Sequence, residues 1–266
     1  MTTNTAPGFI EFIKTEDITF KHAKEQRDII GKEFHSFHEI FFLLSGNAEF
    51  ISDSGKLELF PNTLVTIPKE TFHQFIEKDV NDYYRCVFSF GDIEEFDELI
   101  KSKMGRAYST TISEEMRHLL DKLIAAKHKN LTDCEQQILI KSIFGQLLLE
   151  LPYSAEAQEA SPNFHPLVHS AINYIHAHIQ ENIQISDIAT QLHVSSSYLM
   201  HIFKRNLHIS IYKYIIEKKL ILAKQAIKMG MPPMQAAALY GFHEYSGFYK
   251  MYKKMFDCSP SNDKVS

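Results

Sequence analysis

The chain has 266 residues, 44% of them hydrophobic, enough to build two ordinary domains. No apolar run approaches the roughly 20 residues of a membrane-spanning helix, and the opening MTTNTAPGFIEF lacks the basic and apolar regions of a secretion signal, so the expected location is the cytoplasm. The formal net charge of −5 hides an asymmetry: from His165 onward 11 Lys/Arg stand against 6 Asp/Glu, a formal +5, while the residues before it hold 17 against 27, a formal −10.

From Ile10 to Phe90 short β-prone runs alternate with turn signals. Ile40–Leu44 ends at Ser45-Gly46-Asn47, Ala48–Ile51 at Asp53-Ser54-Gly55, Leu57–Phe60 at Pro61-Asn62, and Leu64–Ile67 at Pro68; Tyr83–Phe90 is a further aromatic-rich run. Near-regular spacing of such runs predicts an antiparallel barrel or jelly roll. Asp92–Glu98 is acidic and reads as a short helix or loop over the barrel's end. Met116/Leu119/Leu120/Leu123/Ile124 and Ile140/Ile143/Phe144/Leu147/Leu148/Leu151 then mark two amphipathic helices with a turn at Lys127–Leu131. Their stripes suit either an intramolecular hairpin or a homodimer interface.

Composition shifts at Pro152 and stays Ala/Glu/Gln/Ser-rich to Pro162, a pattern that predicts a flexible linker. The expected organisation is therefore residues 1–151, a linker at 152–163, and a helical domain over 164–266, starting with the stripe Val168/Ala171/Ile172/Ile175/Ile179. Cys86, Cys134 and Cys258 lie far apart without metal-ligand spacing, so they are expected to be buried or inert thiols.

Within the helical domain one pattern is written twice. ISDIATQLHVSSSYLMHIFKR begins at Ile185 and PPMQAAALYGFHEYSGFYKMYKK at Pro232; Ala189 and Ala237 align at a shift of 48, and Leu199/Phe248 and Phe203/Tyr252 at 49. The small alanine lets two short helices cross closely, a turn follows at His193-Val194 or Gly241-Phe242, and a second helix buries Leu199/Ile202/Phe203 or Phe248/Met251/Tyr252. What remains outward is polar and basic, the anatomy of a helix read into a DNA major groove. Ile209–Met229 reads as one connecting helix about 30 Å long, close to the roughly 34 Å turn of a duplex. A basic domain of this kind joined to an acidic one suits a phosphate-binding reader carrying a regulatory module.

Through YLMHIFKR, YGFHEYSGFYKMYKKMF and Ser259-Pro260, the segment from about Phe164 to Pro260 resembles the AraC/XylS family of bacterial transcription regulators. That family usually carries glycine where His208 stands and arginine where Lys219 stands, isoleucines at Pro233 and Ala236, and a Tyr-Arg ending in place of SPSNDK. The resemblance implies base-facing roles for Ser197, Met200 and His201 on the first reading helix and for Tyr245, Ser246, Tyr249 and Lys250 on the second. Lys204, Lys253 and Lys254 lie further along and are expected at phosphates. The first domain, through FHSFHEIFFLLSG and LFPNTLVTIPKETFHQF, resembles the cupin sensor domain of the same family. Alignment with the cupin motifs brings Glu33, His35, Glu39 and His73 to one side of the barrel, a mixed set that would suit Mn, Fe, Ni or Zn. The preferred expectation assigns no metal and no cofactor: His35, Glu39, His73 and Phe41 line a pocket for a small-molecule effector, and His38 turns to the surface. Arg85 faces either solvent, the preferred reading, or an anionic group.

The expected protein is thus α+β, an N-terminal antiparallel cupin or jelly-roll barrel with a helical hairpin followed by an all-α domain of two helix-turn-helix units. Its expected role is that of a sequence-specific regulator, an activator answering to a small metabolite such as a sugar. The expected partners are double-stranded DNA, that effector, a second copy of the chain and RNA polymerase, with no membrane. The competing reading is a metal-dependent cupin isomerase or oxygenase with an accessory helical domain.

Overall fold

The computed structural model describes residues 9–24, 34–78, 82–126, 129–154 and 165–263. Contacts divide the chain into two compact units, one drawn from residues up to 161, the other from 162 onward together with residues 32–36 and 52–55.

The first unit is built on β-strands β1 (Phe9–Lys14), β2 (Ile18–Lys24), β3 (His38–Ser45), β4 (Ala48–Ser52), β5 (Gly55–Leu59), β6 (Thr63–Ile67), β7 (His73–Glu77), β8 (Tyr84–Phe90) and β9 (Tyr108–Thr111). They form a six-stranded sheet in the order β1-β2-β8-β3-β6-β9 and a three-stranded sheet in the order β5-β4-β7. Central strand β3 pairs antiparallel with β6 and β8, so Phe41 lies opposite Val65 and Val87, and Ile40 opposite Thr66 and Phe88. Because side chains alternate across a strand, this register sorts the sheet into two faces. Phe41, Leu43, Val65, Ile67 and Val87 meet Phe50, Leu59 and Phe75 of the smaller sheet. Ile40, Phe42, Phe20 and Phe88 point the other way into a second cluster with the helices. Gly46 turns β3 into β4 at φ 79, and a Cβ there would stand 2.5 Å from the Asp82 carbonyl oxygen. No other residue fits that turn without moving backbone.

A 3-10 turn at Glu94–Phe96 runs into α1 (Asp97–Lys103), meeting the expectation of a short helix after Asp92. Helices α2 (Glu114–Ala126) and α3 (Asp133–Glu150) follow the two predicted stripes; residues 127 and 128 of the turn lie outside the described residues. Helix α3 starts at a reciprocal cap, in which the Thr132 hydroxyl accepts from the Glu135 amide and the Glu135 carboxylate accepts from the Thr132 amide. Leu120 and Leu147 are buried in the same cluster as Phe42 and Phe88. Their stripes are consumed inside the chain, so these leucines are not the dimer surface the sequence reading allowed; the exposed apolar residues of α3 are Ile138 and Leu149. Residues 155–163 of the expected linker lie outside the described residues, and its first residues are fastened: the Pro152 carbonyl accepts from Tyr108 Oη at 3.0 Å and the Ser102 carbonyl from the Ser154 amide at 3.0 Å.

The second unit is helical: α4 (Pro166–Ala177), α5 (Ile185–Gln191), α6 (Ser196–Leu207), α7 (Ile211–Lys228), α8 (Pro233–Leu239) and α9 (Tyr245–Phe256). Helices α5 and α6 form the first helix-turn-helix and α8 and α9 the second, with α7, about 27 Å long, between them. The family departures are absorbed locally. His208 takes the left-handed conformation at φ 55 that ends α6, where glycine is usual. Pro233 sits in the first turn of α8, where its missing N–H has no helical partner to lose.

Candidate nucleic-acid interface and interior polar cluster

The two readers share one turn geometry down to single hydrogen bonds. In the first, the Val194 amide donates to the Ala189 carbonyl at 3.0 Å and the His193 amide to the Thr190 carbonyl at 3.1 Å; in the second, Phe242 donates to Ala237 at 2.9 Å and Gly241 to Ala238 at 3.0 Å. His193 at φ 55 and Gly241 at φ 74 supply the left-handed residue each closure requires. Both alanines are buried. Each accepts, from five residues on, the bond that closes the turn, and a small side chain recurs at that buried position.

Beyond the turn, α6 is capped by the Ser195 hydroxyl, which accepts from the Tyr198 amide at 3.2 Å, whereas Glu244 before α9 makes no side-chain cap. Leu199, Ile202, Phe203 and Leu207 bury one face of α6, and Phe248 and Tyr252 that of α9. The opposite faces carry the residues singled out in the sequence. Ser197, Met200, His201 and Lys204 are exposed on α6, as are Ser246, Tyr249, Lys250, Lys253 and Lys254 on α9. Tyr245 is only half-exposed, because its ring packs on Phe248 with centroids 5.8 Å apart. Arg205 and Tyr198, exposed on α6, were not singled out although the same outward spacing marks them.

The C-terminal tail ends the second reader in its own way. Asp263 accepts a 2.6 Å hydrogen bond from Tyr252 Oη and one from Cys258 Sγ at 3.2 Å, and pairs with Lys224 at 3.3 Å. Burial pushes the Asp263 carboxyl up, but these three partners outweigh it and hold the group below its ordinary value. Cys258 is half-buried and Cys86 fully so, while Cys134 at the start of α3 is exposed rather than buried.

In the first unit Glu39 projects to the interior face of β3, in step with Phe41 and Leu43. Its carboxylate accepts from Ser89 Oγ at 2.9 Å and lies 3.4 Å from His73 Nε2. His73 Nδ1 faces the Thr71 carbonyl at 3.2 Å, so it carries the proton. His35 is buried as well, within the second unit. An imidazole whose Nδ1–H is held by a carbonyl is arranged as metal-ligating histidines are, and equally as an imidazolium facing a carboxylate. Glu33 lies outside the described residues. Two expectations are corrected. Arg85 is 1% exposed, with its guanidinium 5.1 Å from the Tyr83 ring centre and 3.7 Å from Glu77, so it meets an anionic group and not solvent. His38 does turn to the opposite face but is buried, accepting from the Lys69 amide at 3.2 Å and stacking on Phe90. Among the aromatics, Phe41, Phe50 and Phe75 line the interior, with Phe41 and Phe75 stacked at 3.9 Å, while Phe20 and Phe88 belong to the helix-facing core.

Paired helix-turn-helix units on a basic helical unit, joined in one chain to a β-sheet unit with an inward-facing polar cluster, define a DNA-binding regulator with a sensor domain. Comparison with known proteins agrees. Residues 17–148 match the AraC-like ligand binding domain and residues 188–264 a helix-turn-helix domain. "Probable transcriptional regulator LumQ" of Photobacterium leiognathi is 24% identical over 232 residues, covering 85% of this chain and 89% of that protein. The Msm operon regulatory protein of Streptococcus mutans is 23% identical over 241 residues, covering 87% and 85%. Among solved structures, ToxT from Vibrio cholerae aligns over 96% of each chain at 12% identity with a TM-score of 0.41. The chain belongs to the AraC family of transcription regulators, with an N-terminal ligand-binding domain and a C-terminal helix-turn-helix region. Members of this family are regulators and not enzymes, which sets aside the isomerase or oxygenase reading. No helix among the described residues is long and apolar enough to cross a membrane.

Proposed function

We propose that this regulator grips one face of a duplex with both readers and acts as an activator under the control of a small metabolite, a sugar or related compound. The observation that carries the reading is the repeated turn geometry, which presents two outward faces through the same backbone frame. Ser197, Met200 and His201 read bases from α6, and Tyr245, Ser246, Tyr249 and Lys250 from α9, with Lys250 supplying a strong bond to guanine. Lys204, Lys253 and Lys254 hold phosphates. Glu39, His73, His35, Phe41 and Arg85 are the effector residues: a carboxylate, imidazoles and a guanidinium beside stacked aromatics suit a ligand rich in hydroxyl groups. The effector works by binding one of two states more tightly and thereby setting how the readers engage DNA and RNA polymerase. Two copies pair in this reading, and the exposed Ile138 and Leu149 of α3 are the residues available for it, in place of Leu120 and Leu147.

The test is electrophoretic mobility of a labelled operator with the full chain across a salt series. Affinity should fall steeply with salt as counterions are released; no detectable binding at low salt overturns the proposal. His35→Ala with His73→Ala should abolish the effector response while basal DNA affinity stays. Stoichiometric metal in the purified protein, whose removal abolishes the response, would replace the polar-pocket reading by a metal centre.

A further inference from the structure

The second unit contains a cleft of about 480 Å³ that the DNA-reading role does not use. Its walls come from three places: Asn182–Ser186, which leads into and opens the first helix of the first reader, α7 through Tyr212, Ile215, Ile216 and Lys219, and the second reader through Gly241–Glu244, Gly247, Phe248 and Met251. Ile183, Ile216, Phe242 and Met251 make the lining largely apolar. Against it stands Lys219, whose side chain is 4% exposed. Its ammonium donates to the carbonyl oxygens of Glu181 at 2.5 Å and Tyr240 at 2.9 Å. These are neutral acceptors, and they account for two of three donors. The Glu181 carboxylate is turned to His178 Nδ1 at 3.0 Å. Burial lowers the pKa of Lys219 against the opposing charge of Glu181, so the cationic form is penalised and an anion beside it would relieve the penalty.

A largely apolar cleft of several hundred cubic ångströms around a buried ammonium, with Glu244 of its lining exposed to solvent, has the make-up of a small-molecule site. We infer that this cleft binds a small organic anion, an apolar body with a carboxylate head directed at Lys219. Because the walls belong to both readers and to the helix between them, occupancy fixes the readers' relative placement and so changes affinity for DNA contacted by both. This site is separate from the interior cluster of Glu39 and His73.

Gly247 supplies a clean way to fill the cleft. It lines the cavity, lies in helix α9 outside the positive-φ region, and a Cβ there would meet nothing within 4 Å. Gly247→Leu should therefore fold at least as well as the parent, since leucine favours a helix over glycine. The experiment is thermal unfolding of the full chain in the presence of benzoate and of octanoate, alongside Gly247→Leu, Lys219→Met and Lys219→Arg. At ten times its Kd an acid should raise Tm by roughly 3–5 °C. Gly247→Leu should lose that rise, Lys219→Met should weaken binding roughly tenfold, and Lys219→Arg should retain it. If Lys219→Met fails to fold, Gly247→Leu decides alone. No Tm rise with either acid overturns the inference, and so does a rise that Gly247→Leu leaves intact, because the acid then binds elsewhere in the chain.

Discussion

The two readers hold the same backbone and different chemistry. Ala189 and Ala237 accept corresponding hydrogen bonds from Val194 and Phe242, yet the first reader closes its turn with a histidine in the left-handed region and the second with a glycine. The first starts its outer helix under a serine cap and the second under an uncapped glutamate. The first shows Ser197, Met200 and His201 outward, the second Tyr249, Lys250 and a longer run of lysines. The difference teaches that a frame fixed by main-chain closure and one small residue leaves the outward face free to diverge.

The shared alanine is where the two frames are most sensitive. Ala189→Leu and Ala237→Leu both overpack a buried crossing and should each cost about 1–3 kcal/mol in thermal unfolding; a mild effect in one and not the other would show that the frames are not equivalent. On the outward faces, Lys250→Ala or His201→Ala should cost about 1–3 kcal/mol on cognate DNA and little on random sequence. Lys253→Ala should weaken every sequence alike and flatten the salt slope by about one unit. If Lys250→Ala weakens both kinds of DNA equally, the side chain is a phosphate anchor.

The turn residues give a smaller contrast. Gly241→Ala forces a left-handed alanine whose Cβ would stand 2.9 Å from Lys219 Nζ, a loss of about 1–2 kcal/mol; His193→Gly relieves a left-handed histidine and should not destabilise. Ser195→Ala removes the cap of α6 at a cost of about 1 kcal/mol, whereas Glu244→Ala has no cap bond to remove and should read near zero. Denaturation midpoints of the four variants check both statements.

Acid should distinguish the surroundings of α4 from those of the second reader by the pH range in which stability is lost. Burial, then the Lys218 charge, lowers the pKa of His176 on α4 to about 4, so its neutral form is favoured in the fold. That stability is present above pH 6.5 and is lost as pH falls towards 4. Asp263, held below its ordinary 3.8 in the second reader, contributes stability that is lost only as pH falls below that value. His176→Gln should remove the upper part of an acid-unfolding profile and leave the lower part; an unchanged profile overturns the assignment.

Periodicity made much of the molecule legible. The duplication was visible because aligned alanines and aromatics have to recur wherever the same crossing is packed. The strand unit was visible from turn residues such as Gly46, and α2 and α3 from their leucine spacing. What stayed hidden depended on neighbours distant in sequence. Arg85 reads as a solvent residue until β7 brings Glu77 beside it. His38 reads as surface until Lys69 and Phe90 cover it. Strand β9, four residues with little apolar alternation, has no signal until β6 offers it an edge. Leu120 and Leu147 gave a stripe but not its partner, because amphipathicity states that a face is covered and not by what.

Helix α7 has one more consequence. Each residue of an α-helix advances about 1.5 Å and turns by about 100°. Its 18 residues therefore set not only the distance between the readers but their relative rotation about the helix axis. Adding a single residue would turn the second reader by about a quarter-turn about the helix axis, while adding seven would nearly restore its facing about that axis and lengthen the step by about 10 Å. If both readers sit on one duplex, the length of α7 sets the spacing of the two contacted segments.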